Sequence, residues 1–424
     1  MGNFPNRSDR DNRDCVTSDR PKNPDELPPP TLVEDDAALG DLLDVLDSCT
    51  EAAVDTEADS FFSYKESVCL LQVTAAGRDY VIDPLVGLNL DGFGRFLADE
   101  RKVKVFHDGE FDVLIMKREY DFDFANLFDT RVAASALGST SPGLGSVLAE
   151  HFGFELDKSM QRSDWSRRPL SSQQIRYARL DTHYLLPLMR IQQDALDEAR
   201  RTMVLEGECR RLEALEASPR NFDPDGYAKL KGVRTLNPLG RRVLRELFVW
   251  RDGQASARNL PPFKVLGNNI LLSLAAAMPV NEHELSRCDG MSPKVARRLG
   301  SKLLDVVDGA ERMEPIEQLP RLPSKDGTDV LNEEGIELHE RLKKWRKDTA
   351  IREEMDSSLV LNRRSLLGLA EHRPRGEDEL PGINGMMVWQ SERYGRDLID
   401  LVAKFEGDLE AGDIDFSHRG RRRS

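Results

Sequence analysis

Apolar and polar positions alternate with two different periods along the first half of the chain. Short apolar runs bounded by turn residues indicate strands, and these runs are AAVDTE, SVCLLQVTA, RDYVID and KVKVFHD. Longer stretches with apolar residues three and four apart indicate helices, and these are DDAALGDLLDVLDSC, GFGRFLADE and GEFDVLIMKREY. Strands followed by alternating helices predict an α/β domain over roughly residues 35–205.

The end of this region has a mainly helical pattern. After the extended segment ANLFDT come two short helices, DTRVAASALG and LGSVLAEHFG, each ending at a glycine. One long helix is predicted to begin after Ser171, its N-cap, and to continue to Arg200.

The second half of the chain contains an internal repeat at a fixed offset of 95 residues. LFVWRDGQASA at 247–257 matches LKKWRKDTAIR at 342–352, and ILLSLA at 270–275 matches SLLGLA at 365–370. Both copies have helical patterns, and a proline-bearing segment separates them. Two all-helical modules are therefore predicted, with the recurring Trp250 and Trp345 in their cores.

Charge is distributed unevenly along the chain. The net charge is −15, which by itself speaks against nucleic acid as a partner. The first repeat differs, because residues 226–312 hold 15 Lys and Arg against 8 Asp and Glu, a net charge of +7. The second repeat, residues 331–408, has a net charge of −4. The first helical module is thus the predicted nucleic-acid contact, and the acidic second module is predicted to brace the assembly.

Cysteine usage and hydropathy bear on the compartment. The five cysteines are scattered, without a C-x-x-C pair, which argues against a disulfide framework and a zinc site. No apolar signal-peptide stretch opens the chain, and the longest apolar run, at 270–280, is too short to span a bilayer. We therefore expect a soluble, cytoplasmic protein.

Acidic residues occur in apolar surroundings at several points. Asp55 and Glu57 lie two apart in a predicted strand and so share one face of it. Asp112 lies within the apolar helix EFDVLIMK, and Asp181 follows Tyr177 by four residues on one helical face. Taken singly, each acid is explained as a turn residue, a helix cap, a solvated surface acid or a partner of Arg176 or Arg179. Taken together, they form a set of hard oxygen donors suited to Mg²⁺ or Mn²⁺ and to phosphodiester hydrolysis.

In their order along the chain, Asp55, Glu57, Asp112, Tyr177 and Asp181 resemble the three motifs of the DEDD superfamily of 3′–5′ exonucleases, in its tyrosine subclass. The segment LDKSMQRSDWSRRPLSSQQIRYARLDTHYLLPL is similar to the ribonuclease D family, and LFVWRDGQASARNLPPFKVLGNNILLSLA resembles an HRDC domain. The second repeat resembles another HRDC domain, although it lacks the counterparts of Pro261 and Pro262. The resemblance implies a ribonuclease H-like α/β domain with a mixed sheet, followed by two all-α HRDC domains.

The expected organisation follows from this resemblance and from the composition. It comprises a disordered leader at 1–30, an exonuclease domain at 31–210, a first HRDC domain at 211–312, a linker at 313–330, a second HRDC domain at 331–408 and a tail at 409–424.

The resemblance also implies roles for individual residues. Asp55, Glu57, Asp112 and Asp181 would ligate two divalent ions, Mg²⁺ or Mn²⁺, and Tyr177 would orient the attacking water. Further candidates come from position or charge. His107 is expected either to contact nucleotide or to cap a helix, and Phe61 and Phe62 either to stack on a base or to pack in the core. The candidate nucleic-acid contacts are Gln72, His107, Arg241, Arg242, Lys264, Arg297 and Arg298.

The function that the resemblance implies is 3′→5′ exoribonuclease activity, which releases nucleoside 5′-monophosphates from RNA 3′ ends, above all those of tRNA precursors. The enzyme is expected to be a monomer. Two alternatives stay open at this point: a DNA exonuclease of the same superfamily, and a non-catalytic RNA-binding relative. The intact set of five motif residues argues against the second.

Overall fold

A computed structural model describes residues 24–217, 221–320, 327–414 and 416. The expected leader at 1–30 and tail at 409–424 therefore lie largely outside the described residues, as does part of the expected linker. Within the described part of the leader, Pro24–Glu26 forms a 3₁₀ turn.

A mixed six-stranded sheet forms the first domain, in the order β1-β4-β3-β2-β5-β6. The β2–β3 and β3–β4 pairs are antiparallel, and β1–β4, β2–β5 and β5–β6 are parallel. This confirms the expected fold class. The strands are β1 (Thr31–Val33), β2 (Glu51–Ala58), β3 (Val68–Ala75), β4 (Arg78–Ile82), β5 (Val103–Phe106) and β6 (Leu127–Asp129).

Eight helices pack on this sheet or extend from it. They are α1 (Asp36–Ser48), α2 (Asp91–Ala98), α3 (Glu110–Tyr120), α4 (Thr130–Ala136), α5 (Leu144–Phe152), α6 (Ser172–His183), α7 (Leu185–Glu198) and α8 (Thr202–Glu213).

The prediction of one long helix from Ser171 to Arg200 was wrong, because the chain forms α6 and α7 with a break at Tyr184. Pro187 explains the break: its ring and missing N–H disrupt a helix at the carbonyl four residues earlier, that of His183. The start of α6 agrees with the prediction, since Ser171 and Gln174 form a capping box.

The short strand β1 was not predicted from the sequence. Its three residues follow a proline run and carry no alternating pattern, so only their pairing with β4 identifies them as a strand.

Both repeats are helical, as predicted. The first contains α9 (Pro238–Ala257), α10 (Pro262–Val265), α11 (Asn268–Ala277), α12 (Glu282–Ser286) and α13 (Pro293–Glu311). The second contains α14 (Glu333–Arg352), α15 (Ser357–Val360), α16 (Arg363–His372) and α17 (Val388–Glu410). Trp250 and Trp345 pack against the cores of their respective modules, as expected.

The second module shares one continuous hydrophobic core with the exonuclease domain, whereas the first module has a core of its own. The junction is close at Gly207 of α8, where an added Cβ would lie 2.5 Å from the Trp389 ring of α17. Arg201 of the exonuclease domain also donates across this junction to the backbone carbonyls of Glu353 and Glu354. The exonuclease domain and the second module are therefore packed together around one core, although the first module separates them in the sequence.

The apolar run at 270–280 lies largely in α11, a ten-residue helix. No helix in the described part of the chain has the length and apolarity needed to cross a membrane.

Candidate active site

Strand β2 presents two carboxylates on one face of the sheet. Asp55 lies opposite Gln72 and Glu57 opposite Leu70 in the antiparallel pairing with β3, and the register shifts immediately after Glu57. This face packs against α6, because Thr74 of β3 contacts Thr182 of α6.

Helix α6 brings the third carboxylate to this face. Tyr177 and Asp181 lie one helical turn apart on α6. One carboxylate oxygen from each of Asp55, Glu57 and Asp181 lies within 4.8 Å of the other two, and all three side chains are partly buried. Carboxylates in this arrangement suit a hard divalent cation, which would relieve their mutual repulsion.

Asp112 lies beside this cluster but is held differently. It is 6% exposed on α3, and its Oδ1 accepts hydrogen bonds from the Thr56 backbone N–H, at 3.1 Å, and from the Thr56 hydroxyl. Thr56 lies between Asp55 and Glu57, so this contact fixes α3 against the strand that carries the other two acids. The structure thus groups three of the expected ligands, and the fourth, Asp112, is hydrogen-bonded to Thr56 between two of them.

The acids behave as a repelling set in the absence of a cation. Burial, followed by the charges of the neighbouring carboxylates, raises the pKa of Glu57 to about 9 and that of Asp181 to about 8. Burial also raises the pKa of Asp112 to about 6, against the opposing effect of the Thr56 hydrogen bonds. The pKa of Asp55 is raised well above its usual range by burial and by Asp112 and Asp181. Such perturbed acids are typical of functional sites.

A cavity of about 280 Å³ opens over the cluster. Its walls include Asp55, Glu57, Asp181 and Tyr177, with Lys158 as the basic residue among them. Burial and the nearby acids raise the pKa of the Tyr177 phenol, so the group stays protonated at neutral pH. The remaining lining residues are Thr56, His107, Asp108, Leu144, Gly145, Leu156, Asp157 and Gln161.

Lys158 and Gln161 were not assigned a role from the sequence. They lie in LDKSMQRSDW, between α5 and α6. The segment is polar, which is common in loops, and its similarity to the ribonuclease D family did not single out either residue.

His107 lines the cavity without capping α3, whose N-cap is Gly109. The Thr130 hydroxyl donates to the Phe106 carbonyl at 3.0 Å, so it accepts from His107 Nδ1, 2.8 Å away. Burial lowers the pKa of His107 to about 4. The neutral ring therefore keeps Nε2 as an acceptor, and this buried atom has no hydrogen-bond partner among the described residues.

Gln72 is fully buried on the sheet face that carries Asp55. Neither polar atom of its amide has a hydrogen-bond partner among the described residues. Its position beside Asp55 agrees with the expectation that it lies near the site, but its side chain does not reach solvent.

Two buried aspartates position the elements of the site. Asp79 of β4 accepts from Arg179 and from His183 Nδ1, at 2.9 Å, and so ties α6 to the sheet. Asp129 accepts from the backbone of Asp108, at 3.1 Å, and of Gly109, at 2.8 Å, and so fixes the turn that begins α3. Sequence reasoning missed both, because the partners are distant in sequence; it had considered Arg179 as a partner of Asp181.

The basic candidates of the first HRDC module fall into two groups. Arg241 and Arg242 donate to the carbonyls of Glu317 and Glu314, at 2.7 and 2.8 Å, and so secure the segment that follows α13. Arg297 and Arg298 are exposed on α13. Lys264 is exposed, and its Nζ lies 3.8 Å from the ring centroid of Phe62 in the exonuclease domain.

Comparisons with known proteins agree with this architecture. The 3′-5′ exonuclease family matches residues 30–197, and the HRDC domain family matches residues 240–307 and 336–402. Ribonuclease D of Pseudomonas paraeruginosa is 31% identical over 374 residues, which cover 87% of this chain and 96% of that protein. An exosome complex component 10 homolog of Caenorhabditis elegans is 32% identical over 73% of this chain, but the match spans only 35% of that longer protein.

Solved structures give the same result. The catalytic core of RRP6 from Trypanosoma brucei is 30% identical, with a TM-score of 0.62, over 66% of this chain and 79% of that one. The fold is also that of Escherichia coli RNase D, which covers 88% of this chain with a TM-score of 0.63 and is matched over 99% of its own length at 24% identity. Since the Pseudomonas enzyme is matched along nearly its whole length, the chain belongs to the ribonuclease D family of 3′-5′ exoribonucleases.

Proposed function

We propose that this ribonuclease D family member shortens RNA from the 3′ end by metal-dependent hydrolysis, with the cavity over β2 and α6 as its active site. The observation that carries the proposal is the grouping of Asp55, Glu57 and Asp181 within 4.8 Å, with Tyr177 on the wall of the same cavity.

Asp55, Glu57 and Asp181 would hold the divalent ions. Asp112, which is hydrogen-bonded to Thr56, would be the fourth carboxylate of the ligand set. We propose two ions, Mg²⁺ or Mn²⁺, because the donors are all carboxylate oxygens and a phosphodiester supplies further oxygen ligands. When bound, the ions would lower the pKa of a coordinated water molecule and neutralise negative charge on the phosphate.

The other residues of the cavity bind and orient. Tyr177 keeps its proton and so acts by donating a hydrogen bond that orients the attacking water, because a phenol with a raised pKa is a poor general base at neutral pH. Lys158 lies on the cavity wall, where its ammonium would bind an RNA phosphate oxygen. His107 lies on the same cavity wall, where its ring would contact the terminal nucleotide. Products would be nucleoside 5′-monophosphates.

The first HRDC module would contribute RNA affinity through Lys264, Arg297 and Arg298, in keeping with its net positive charge. Arg241 and Arg242 would add to that potential from their places against residues 314–317. Gln72 would act indirectly, by its position beside Asp55.

We further propose tRNA precursors as substrates, a monomeric enzyme and a cytoplasmic location. The relatives named Ribonuclease D, one of them described as an exoribonuclease involved in structured RNA processing, support the choice of tRNA precursors. A cavity built from a single chain supports the second. The four described cysteines are free thiols, which supports a reducing compartment.

The test uses RNA and DNA oligonucleotides of one sequence, labelled at the 3′ or the 5′ end, with Mg²⁺ or with EDTA. We expect the 3′ label to leave RNA as a mononucleotide and the 5′ label to give a descending ladder, both only with Mg²⁺. Hydrolysis of DNA in preference to RNA would identify a DNA exonuclease. Internal cuts, or no products, would overturn the proposal.

A further inference from the structure

Two exposed aromatic rings lie in the segments through which the exonuclease domain contacts the first HRDC module. The Phe61 side chain, four residues after Glu57, is 51% exposed, and that of Phe263, on α10, is 57% exposed. Apolar surface that is exposed in one patch and rimmed by polar residues marks interaction sites.

The two rings flank a contact between the domains. Lys264 follows Phe263 in the chain, and its ammonium lies 3.8 Å from the ring centroid of Phe62, the residue after Phe61. Asn259 Oδ1 accepts from the backbone N–H groups of Tyr64 and Lys65, at 3.2 and 3.3 Å. The Tyr64 hydroxyl donates to Asp252 of α9 at 2.8 Å.

The segment that carries Phe61 is held in shape from within. The Asp59 carboxylate accepts from the Ser67 backbone N–H at 2.8 Å and from the Ser63 hydroxyl, and the Asp59 carbonyl accepts from Phe62 at 2.7 Å. The backbone that carries the exposed ring is therefore held in shape before any ligand arrives, which reduces the entropy cost of ordering this segment on binding.

Positive charge accompanies the rings. The guanidinium of Arg162 lies 5.8 Å from the Phe61 ring centroid. The ammonium of Lys264 lies over the ring of the next residue, Phe62. Arg162 directly follows Gln161, which lines the carboxylate cavity. Arg162 is thus the chain neighbour of a cavity residue, and Lys264 belongs to the basic HRDC module.

Aromatic rings interleaved with cations fit single-stranded nucleic acid, because bases stack on the rings and phosphates attract the cations. We propose that Phe61 and Phe263, with Arg162 and Lys264, form a platform on which the unpaired nucleotides preceding the scissile bond stack as the RNA enters the cavity. This inference rests on the proposed function and assigns the residues that bind the nucleotides upstream of the scissile bond.

The test measures the dissociation constant of a 5′-fluorescein 12-nucleotide single-stranded RNA in EDTA, where no hydrolysis occurs. Loss of base stacking weakens binding by about fivefold or more per ring. We expect about that effect for Phe61→Ala or Phe263→Ala, and about 25-fold weaker binding for the double variant. Phe61→Trp and Phe263→Tyr keep an aromatic ring and should bind this RNA with nearly the wild-type affinity. Phe61→Leu and Phe263→Leu should bind it as weakly as the alanine variants.

Two controls separate stacking from general damage. Ile351→Ala removes a side chain of similar exposure, 67%, from α14 in the second HRDC module, and should bind RNA as the wild type does. A blunt RNA hairpin, whose bases are paired, should bind wild type and double variant equally.

An unchanged dissociation constant for the double variant would overturn the platform. So would equal loss of affinity for the hairpin, or recovery by leucine, which would indicate apolar packing or a protein contact instead. Release of mononucleotides by the wild type in Mg²⁺ is scored separately, so failure of the proposed hydrolysis is distinguishable from failure of the platform.

Discussion

At the scale of single residues, the site consists of acids that repel one another until a cation binds. The D-x-E spacing of Asp55 and Glu57 and the Y-x-x-x-D spacing of Tyr177 and Asp181 were readable from the sequence, since strand and helix periods place each pair on one face. The contact of Asp112 with Thr56 was not readable, because it depends on how α3 docks against β2.

The raised pKa values predict how the stability of the metal-free protein varies with pH. In the folded state Glu57 and Asp181 hold their protons up to about pH 9 and 8, whereas the unfolded chain loses them near pH 4. The folded state therefore binds more protons between these limits, and its stability falls as pH rises through that window. We expect the unfolding midpoint in EDTA to decrease from pH 5 to pH 9. The decrease should be smaller in Asp181→Asn, and a midpoint that rises over this range would contradict the assignment.

Tyr177→Phe removes only the hydroxyl from the cavity wall. We expect kcat to fall about 100-fold or more while the dissociation constant for RNA stays unchanged, because the ring still packs near Trp165, 6.0 Å away. Steady-state hydrolysis and equilibrium binding measure the two quantities. An unchanged kcat would remove Tyr177 from the catalytic set.

At the scale of elements, α6 matters most, because it carries both Tyr177 and Asp181. Its start was predictable from the Ser171 capping signal, and Pro187 is a sequence signal for its end that the prediction of one long helix did not include. Its attachment to the sheet depends on the buried pair Asp79 and Arg179, which lie 100 residues apart. No local pattern identifies such a pair.

Asp79→Ala should therefore damage both stability and activity. Removing one partner leaves the Arg179 charge buried and unpaired, which costs about 3–5 kcal/mol. Urea unfolding measures that loss, and a metal-saturated assay should show a lower kcat as α6 shifts. A matched change at the exposed pair, Asp308→Ala beside Arg312, should alter the unfolding free energy by less than about 1 kcal/mol. Equal effects of the two changes would show that Asp79 does not anchor the helix.

At the scale of the whole molecule, the two repeats have different relations to the exonuclease domain. The repeat itself was visible in the sequence, as was the difference in charge between its copies. The sequence did not show that the second copy continues the exonuclease core while the first keeps a separate one. That difference depends on side chains that meet only after folding, such as Gly207 and Trp389. The shared core supports a bracing role for the acidic second module.

Gly207→Ala tests this shared core. The added methyl group would lie 2.5 Å from Trp389, and overpacking of this kind costs about 1–3 kcal/mol. We expect a lower unfolding midpoint for the full chain. Gly253→Ala, on α9 with nothing within 4 Å of the new Cβ, should leave the midpoint unchanged or raise it, because alanine favours helix. If both variants unfold at the same temperature, the second module does not brace the exonuclease domain.

The central claim is that the carboxylates of β2 and α6 form the hydrolytic centre. The most direct measurement is the initial rate at which 3′-labelled RNA releases its terminal nucleotide in Mg²⁺, compared among the wild type, Glu57→Gln and Glu150→Gln. Glu57 lines the cavity, whereas Glu150 is exposed on α5. We predict a rate lowered at least about 100-fold in Glu57→Gln and unchanged in Glu150→Gln, with both variants folded. A Glu57→Gln protein that releases nucleotides at the wild-type rate would contradict the account.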